Sequence, residues 1–264
     1  MTDEQPIVPP LAAPPVPPPA AEAERVPPPA PQAERVPFWG YADVFLIAGL
    51  ALPCMFVGMG LVRLAMWIGR LHFAPGVEAV PEMLVGYTLL FAALMVVFRV
   101  QYDRPFWRSL GWITTRVPVI FCVICGFGTT VLVLLVAWLI RTPPSAGPLM
   151  DMMKDTRSLI LIAIFATTAA PLFEELAFRG FLQPLLVRNL GAIGGIALTA
   201  VLFGGLHYSE YGDSWRSSLL VALAGAAFGC MRQWTGSTAA AAIMHAAFNG
   251  LQFVAIFAPG KSPH

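Results

Sequence analysis

The stretch "APLFEELAFRG", residues 170–180, holds two adjacent carboxylates and a guanidinium in otherwise apolar surroundings. Neighbouring residues on a helix point about 100° apart, so Glu174 and Glu175 cannot share a face. Arg179 lies four residues beyond Glu175 and stacks over it on the same side of a helix. The natural division pairs Glu175 with Arg179 and turns Glu174 toward the interior of a bundle, although the spacing also admits the reverse. A carboxylate held away from water without a cationic neighbour can serve as general acid or base near neutral pH.

Two histidines extend the set. "FGGLH" at 203–207 places Phe203 and His207 four residues apart, and "HAAFN" at 245–249 does the same for His245 and Asn249. Each pair shares one helical face. Gly204, Gly205 and the alanines at 239–242, 246 and 247 let helices approach closely around them. Three helices could thus direct a carboxylate, two imidazoles and a carboxamide into one cavity. Such a set can activate water and stabilise an oxyanion, or hold a divalent metal such as zinc on Glu174, His207 and His245. There is no HExxH, and the histidines come from separate segments, so zinc spacing is not legible locally. A fourth polar group, "YSEYGD" at 208–213, reads as a solvated loop.

The elements that must position these residues are membrane helices. The chain is 57% apolar and 12% charged, against about 45–50% and about 25% for a soluble domain. Val44–Val62 and Val117–Ile140 are uncharged and long enough to cross a bilayer, as is Gln233–Phe257 apart from one histidine. The fold class expected is all-α, a polytopic transmembrane bundle of seven or eight spans. Seven fall at residues 42–66, 82–101, 117–140, 158–187, 190–210, 216–232 and 236–258, with an eighth if the fourth breaks at Pro184. Burying an Arg or Asp at mid-membrane costs roughly 2.5–3.5 kcal/mol on insertion scales, so polar residues there mark sites. Depth constrains the arrangement. If the fourth span ended at Phe173, Glu174 and His207 would lie on opposite membrane faces. The helix must instead run on through "FLQPLLV" at 181–187, about 44 Å in all from residue 158, with Glu174 near its middle.

Residues 1–37 form a separate region. "VPPPAAEAERVP" and "VPPPAPQAERVP" repeat with a ten-residue period, and a proline-rich tract of this kind is expected to be extended and disordered. The transmembrane domain then covers 38–264, with the motif-bearing core at about 158–258. Aromatics at 37–41, 102–107, 208–215 and 234 suggest interfacial belts. Arg99, Arg104, Arg108 and Arg116 mark the 99–116 loop as cytoplasmic, which puts the amino terminus inside and the carboxyl terminus outside. The net charge of +1 comes without a basic run, and no nucleic-acid partner is expected. Cys54, Cys122, Cys125 and Cys230 all lie in apolar spans and read as small buried residues despite the "CVIC" spacing.

Residue pattern alone leaves alternatives open. A histidine or asparagine in a membrane helix can be a simple interhelical hydrogen-bond partner, and a proton-coupled transporter uses the same residue types. The ordered set EExxxR, FxxxH and HxxxN resembles the CAAX-protease and bacteriocin-processing (CPBP, or Abi) family of intramembrane proteases, whose best-known branch is the type II CAAX prenyl endopeptidase. The resemblance covers about 158–255 and implies hydrolysis of a peptide bond in a membrane-associated protein or peptide. It implies that Glu174 activates water with His207 assisting, that His245 and Asn249 stabilise the oxyanion or contribute to a metal site, and that Glu175 and Arg179 hold the first helix in place. A non-catalytic scaffold or immunity protein of the same family is the alternative. The arginine-dominated basic content and the proline-rich head suggest the inner membrane of a bacterial cell.

Overall fold

The computed structural model describes residues 36–144 and 147–257. The proline-rich repeat lies outside these residues but for its last two. The described residues form helices and no strand. In chain order these are α1 (Tyr41–Gly69), α2 (Pro75–Tyr102), the short α3 (Phe106–Ser109), α4 (Val119–Leu139), the short α5 (Pro148–Met152), α6 (Thr156–Thr167), α7 (Ala169–Glu175), a π-helix (Leu176–Leu182), α8 (Gln183–Leu206), α9 (Trp215–Thr235) and α10 (Thr238–Phe257). Among them, five helical stretches are long and apolar enough to cross a membrane: Tyr41–Gly69, Pro75–Val100, Val119–Leu139, Thr156–Leu206 and Thr238–Phe257.

The fourth of these, at 51 residues, would be about 77 Å long if straight, far more than a bilayer's depth. It folds back on itself at Gly191, whose φ of 72° and ψ of 171° leave the helical region. That backbone is open to glycine at little cost. The two arms then run antiparallel. Gly195 presses on the Val187 backbone, Gln183 and Ile196 both meet Gly229, and the Phe178 and Phe203 rings lie 5.0 Å apart. The reversal therefore falls at Gly191 and not at Pro184. Backbone angles stay helical at Leu182 and Gln183 (φ −77° and −57°). There the Gln183 N–H reaches back five residues to the Phe178 carbonyl, and the widened π turn accommodates a ring that would clash in an α-helix.

Three helix pairs build the bundle: α1 with α2, α4 with α10, and α8 with α9. In the last pair Gly204 lies directly against the Ser218 carbonyl, an approach that any side chain would prevent. Ahead of α1, Trp39 is 3% exposed. Its indole N–H donates to the Phe181 carbonyl at 3.0 Å, and its ring stacks on Phe98 and Phe181. This aromatic belongs to the core and not to an interfacial belt, because its one polar atom finds a backbone partner inside the bundle. Trp215 and Trp234, at 62% and 66% exposed, do present their rings outward. Asp43 ties the start of α1 to the end of α2, accepting from the Gly40 N–H at 2.9 Å and the Tyr102 hydroxyl at 2.7 Å.

Candidate active site

Asp155 caps α6 by accepting the Ser158 N–H at 3.0 Å. The helix then breaks at Thr168 (φ −130°, ψ −79°), and α7 restarts for seven residues that end on both glutamates. The π-helix follows at once. Such turns are rare and concentrate at functional sites. Here a π turn is what carries Arg179.

Glu175 is the hub. It is fully buried, and its Oε1 accepts from Arg179 Nη1 at 2.9 Å and from His245 Nδ1 at 2.9 Å. Arg179, equally buried, donates from Nη2 to the Gly225 carbonyl at 2.7 Å and lies over the Phe203 ring at 4.5 Å. The guanidinium thus satisfies one glutamate and one α9 carbonyl while shielded by aromatic faces. Its geometry matches the pairing that the four-residue spacing implies.

His245 stacks on Phe228 with ring centroids 4.5 Å apart. Because a carboxylate sits at Nδ1, the neutral ring carries its proton there and turns Nε2 toward Glu174, whose Oε2 is 3.8 Å away. The Glu174 side chain is 18% exposed against none for Glu175, so of the two it is the carboxylate that water can reach. His207 follows α8 and is anchored differently. Its Nδ1 lies 2.7 Å from the Phe203 carbonyl, which leaves Nε2 toward Glu210, 3.8 Å from its Oε2. The Phe203 ring sits between the two imidazoles, 4.6 Å from His207 and 6.0 Å from His245.

The fourth motif residue is placed apart from these. Asn249 donates its Nδ2 to the Ala166 carbonyl at 2.7 Å, bridging α10 to the end of α6 beside the Thr168 break. Of the residues expected at the site, Glu174, Glu175, Arg179, His207 and His245 are thus drawn together, and Asn249 fastens the helix behind them.

Three contributors are not evident in the sequence. Glu210 belongs to the segment read as a solvated loop, yet it faces His207, and its backbone carbonyl accepts from Leu149 N–H at 3.5 Å. Burial pushes its carboxyl above the ordinary range, and the neighbouring His207 opposes that shift. Its position three residues after a histidine was the available signal. Tyr87 packs on Phe173 at 5.1 Å and lies within electrostatic reach of Glu174. Phe228 carries no motif and is recognisable only from the fold. Among the described residues no three His, Cys, Asp or Glu side chains gather closely enough to hold a metal ion.

No curated protein and no solved structure matches the chain. Residues 156–251, the stretch that carries all three motifs, match the family model described as type II CAAX prenyl endopeptidase Rce1-like.

Proposed function

We propose that this protein is an intramembrane endopeptidase that hydrolyses a peptide bond in a membrane-associated protein or peptide. The observation that carries the reading is the Glu174–His245–Glu175 line: an accessible carboxylate 3.8 Å from an imidazole whose far nitrogen is held by a buried one at 2.9 Å. Glu174 takes a proton from water, and the resulting hydroxide attacks the substrate carbonyl carbon. Glu174 shares that proton with His245 Nε2, and the imidazolium so formed, balanced by Glu175, stabilises the oxyanion, while His207 assists in activating the water. When the C–N bond breaks, Glu174 returns the proton to the departing amine. Glu175 and Arg179 orient His245 and do not touch substrate, while Asn249 holds the α6–α7 break.

Every step is written on side chains alone. A divalent metal such as zinc, expected on Glu174, His207 and His245, finds no ligand set of three among the described residues. Seven crossings are part of the same proposal, counting α1, α2, α4, the two arms on either side of Gly191, α9 and α10. So is a bacterial inner-membrane location.

The test compares the purified protein with Glu174→Gln on a membrane-proteome pool, reading new chain termini by mass spectrometry. Wild type should generate termini that the variant does not, with a loss of about 10²–10⁴-fold in rate. The same termini at the same rate from both would end the assignment. His207→Ala and His245→Ala should match Glu174→Gln while still inserting. Chelator treatment of the wild type is run alongside to test the metal.

A further inference from the structure

The bundle has a second polar recess, which shares Arg179 with the glutamate–histidine cluster. A cavity of about 250 Å³ is lined by Pro37, Arg179, Gln183, Arg188, Arg232 and Gln233, with Pro184 and Val187 beside them. No carboxylate is among its lining residues within the described part of the chain. Arg188 precedes the Gly191 reversal by three residues, and Arg232 lies in the last turn of α9, so the recess opens at an end of the bundle. At that end the Arg232 guanidinium packs on Gly111, and the Leu110 backbone packs on Gly180.

The hydrogen bonds of these arginines go to neutral groups. Arg188 donates to the Pro37 carbonyl at 2.6 Å and Arg232 to the Thr238 hydroxyl at 3.0 Å. Neither is paired with a carboxylate among the described residues. On the inner wall, Arg179 is buried and its Nε–H donor has no partner. Buried polar atoms are rarely left in this state. Three guanidiniums, each with donors to spare, thus surround a space into which no carboxylate of the described residues reaches. Among the described residues, Arg179 is paired with Glu175, and Arg188 and Arg232 are paired with no carboxylate.

We propose that this recess binds a phosphate-bearing anion, presented by an anionic phospholipid headgroup or free in solution. Guanidinium forks match phosphate oxygens in pairs. Basic pockets between membrane helices at a bilayer face are suited to lipid headgroups, and Val187 and Pro184 give the rim an apolar side. A bound anion would supply acceptors for Arg188 and Arg232 and would approach Arg179, which also holds Glu175.

Binding is the readout, so this proposal and the peptidase reading fail separately. The full-length protein is placed in nanodiscs of phosphatidylcholine with or without phosphatidylglycerol, and retained lipid is counted by native mass spectrometry. A second arm titrates inorganic phosphate onto the phosphatidylcholine sample and follows thermal stability. Retention of phosphatidylglycerol over phosphatidylcholine identifies the lipid source, and a phosphate-dependent stability gain identifies the free anion. In either case the Arg188→Gln, Arg232→Gln double variant should bind roughly tenfold or more weakly. Arg232 also supports Thr238, so Arg188→Gln alone serves as the variant least coupled to folding and should show a smaller loss of the same sign. Equal retention of both lipids with no response to phosphate would overturn the proposal. So would unchanged binding in both variants.

Discussion

Truncating Arg179 tests the packing logic of the site most directly. The side chain is fully buried, pairs with Glu175 at 2.9 Å, donates to the Gly225 carbonyl at 2.7 Å and lies under the Phe203 ring at 4.5 Å. Arg179→Ala strands a buried carboxylate and removes the tie to α9 at the Gly225 carbonyl. Breaking a buried pair on one side costs about 3–5 kcal/mol, and the lost hydrogen bond adds about 1 kcal/mol. For a domain of this size that corresponds to a fall in Tm of roughly 10 °C, measurable by thermal melting in detergent. Glu175→Ala should cost a similar amount by stranding the guanidinium. The discriminating sample is the double variant Arg179→Met, Glu175→Leu. Replacing both charges by apolar groups removes the stranded ion, so its loss should be well below the sum of the two single losses. It should nevertheless leave cleavage impaired, because His245 Nδ1 then has no carboxylate partner. The reasoning is refuted if the single variants melt within about 2 °C of wild type, or if the double variant loses the full sum.

Three further outcomes follow from single contacts. Asn249→Ala should lower Tm by a few degrees, since the Ala166 carbonyl loses its donor at a cost of about 1 kcal/mol. Asn249→Asp should not restore it, because a carboxylate cannot donate. Gly204→Val should drive α8 from α9 at the Ser218 carbonyl and abolish cleavage by displacing His207, with wild-type cleavage as the refuting result. Burial, then the hydrogen bond to Asp43, pushes the Tyr102 phenol up to about 12. A raised folded value means that its stabilisation is complete below about pH 10, the unfolded value, and is lost as pH climbs through about 12. Tyr102→Phe should therefore flatten the decline of Tm across that window, while an unchanged profile would show that the phenol does not contribute.

Helices of this bundle are legible in the sequence because uncharged apolar runs have little else to form in a bilayer. The stretches expected at 42–66 and 117–140 appear as Tyr41–Gly69 and Val119–Leu139. The stretch expected from 82 begins instead at Pro75, because proline at a helix start loses nothing by lacking an N–H. Local geometry that changes no residue type is less legible. The seven residues Leu176–Leu182 are too few to establish a period of their own, so the widened segment leaves no legible trace in the apolar pattern. A break at Pro184, the condition for an eighth span, does not occur because the π turn absorbs the proline ring. The reversal expected between 187 and 190 falls at Gly191, where glycine accommodates φ 72°. Within the site, the Glu175–Arg179 pairing can be read from spacing, because both partners stand on one helix. The Glu175–His245 contact spans 70 positions, and no local pattern encodes it.

That long-range contact bears on whether the buried charges serve structure alone. A scaffold needing only to satisfy a membrane-embedded histidine could use a backbone carbonyl, as His207 does with Phe203 at 2.7 Å. His245 instead receives a carboxylate that already serves an arginine, which places two charged groups in the low-dielectric core and leaves the second oxygen of Glu175 without a partner. Such an arrangement is a poor source of stability compared with apolar packing. Its chemical return is specific: it fixes the ring orientation, keeps Nε2 toward Glu174, and can stabilise an imidazolium when that nitrogen takes up a proton. Replacing Glu175 by glutamine tests this directly. An amide can still lie near Arg179 and accept at Nδ1, but it carries no charge to balance an imidazolium. Glu175→Gln should therefore lose less stability than Glu175→Ala, because the amide oxygen still accepts from Arg179, and cleave at least tenfold more slowly, with the deficit in kcat and not in KM. Wild-type kcat in this variant would assign Glu175 to structure only.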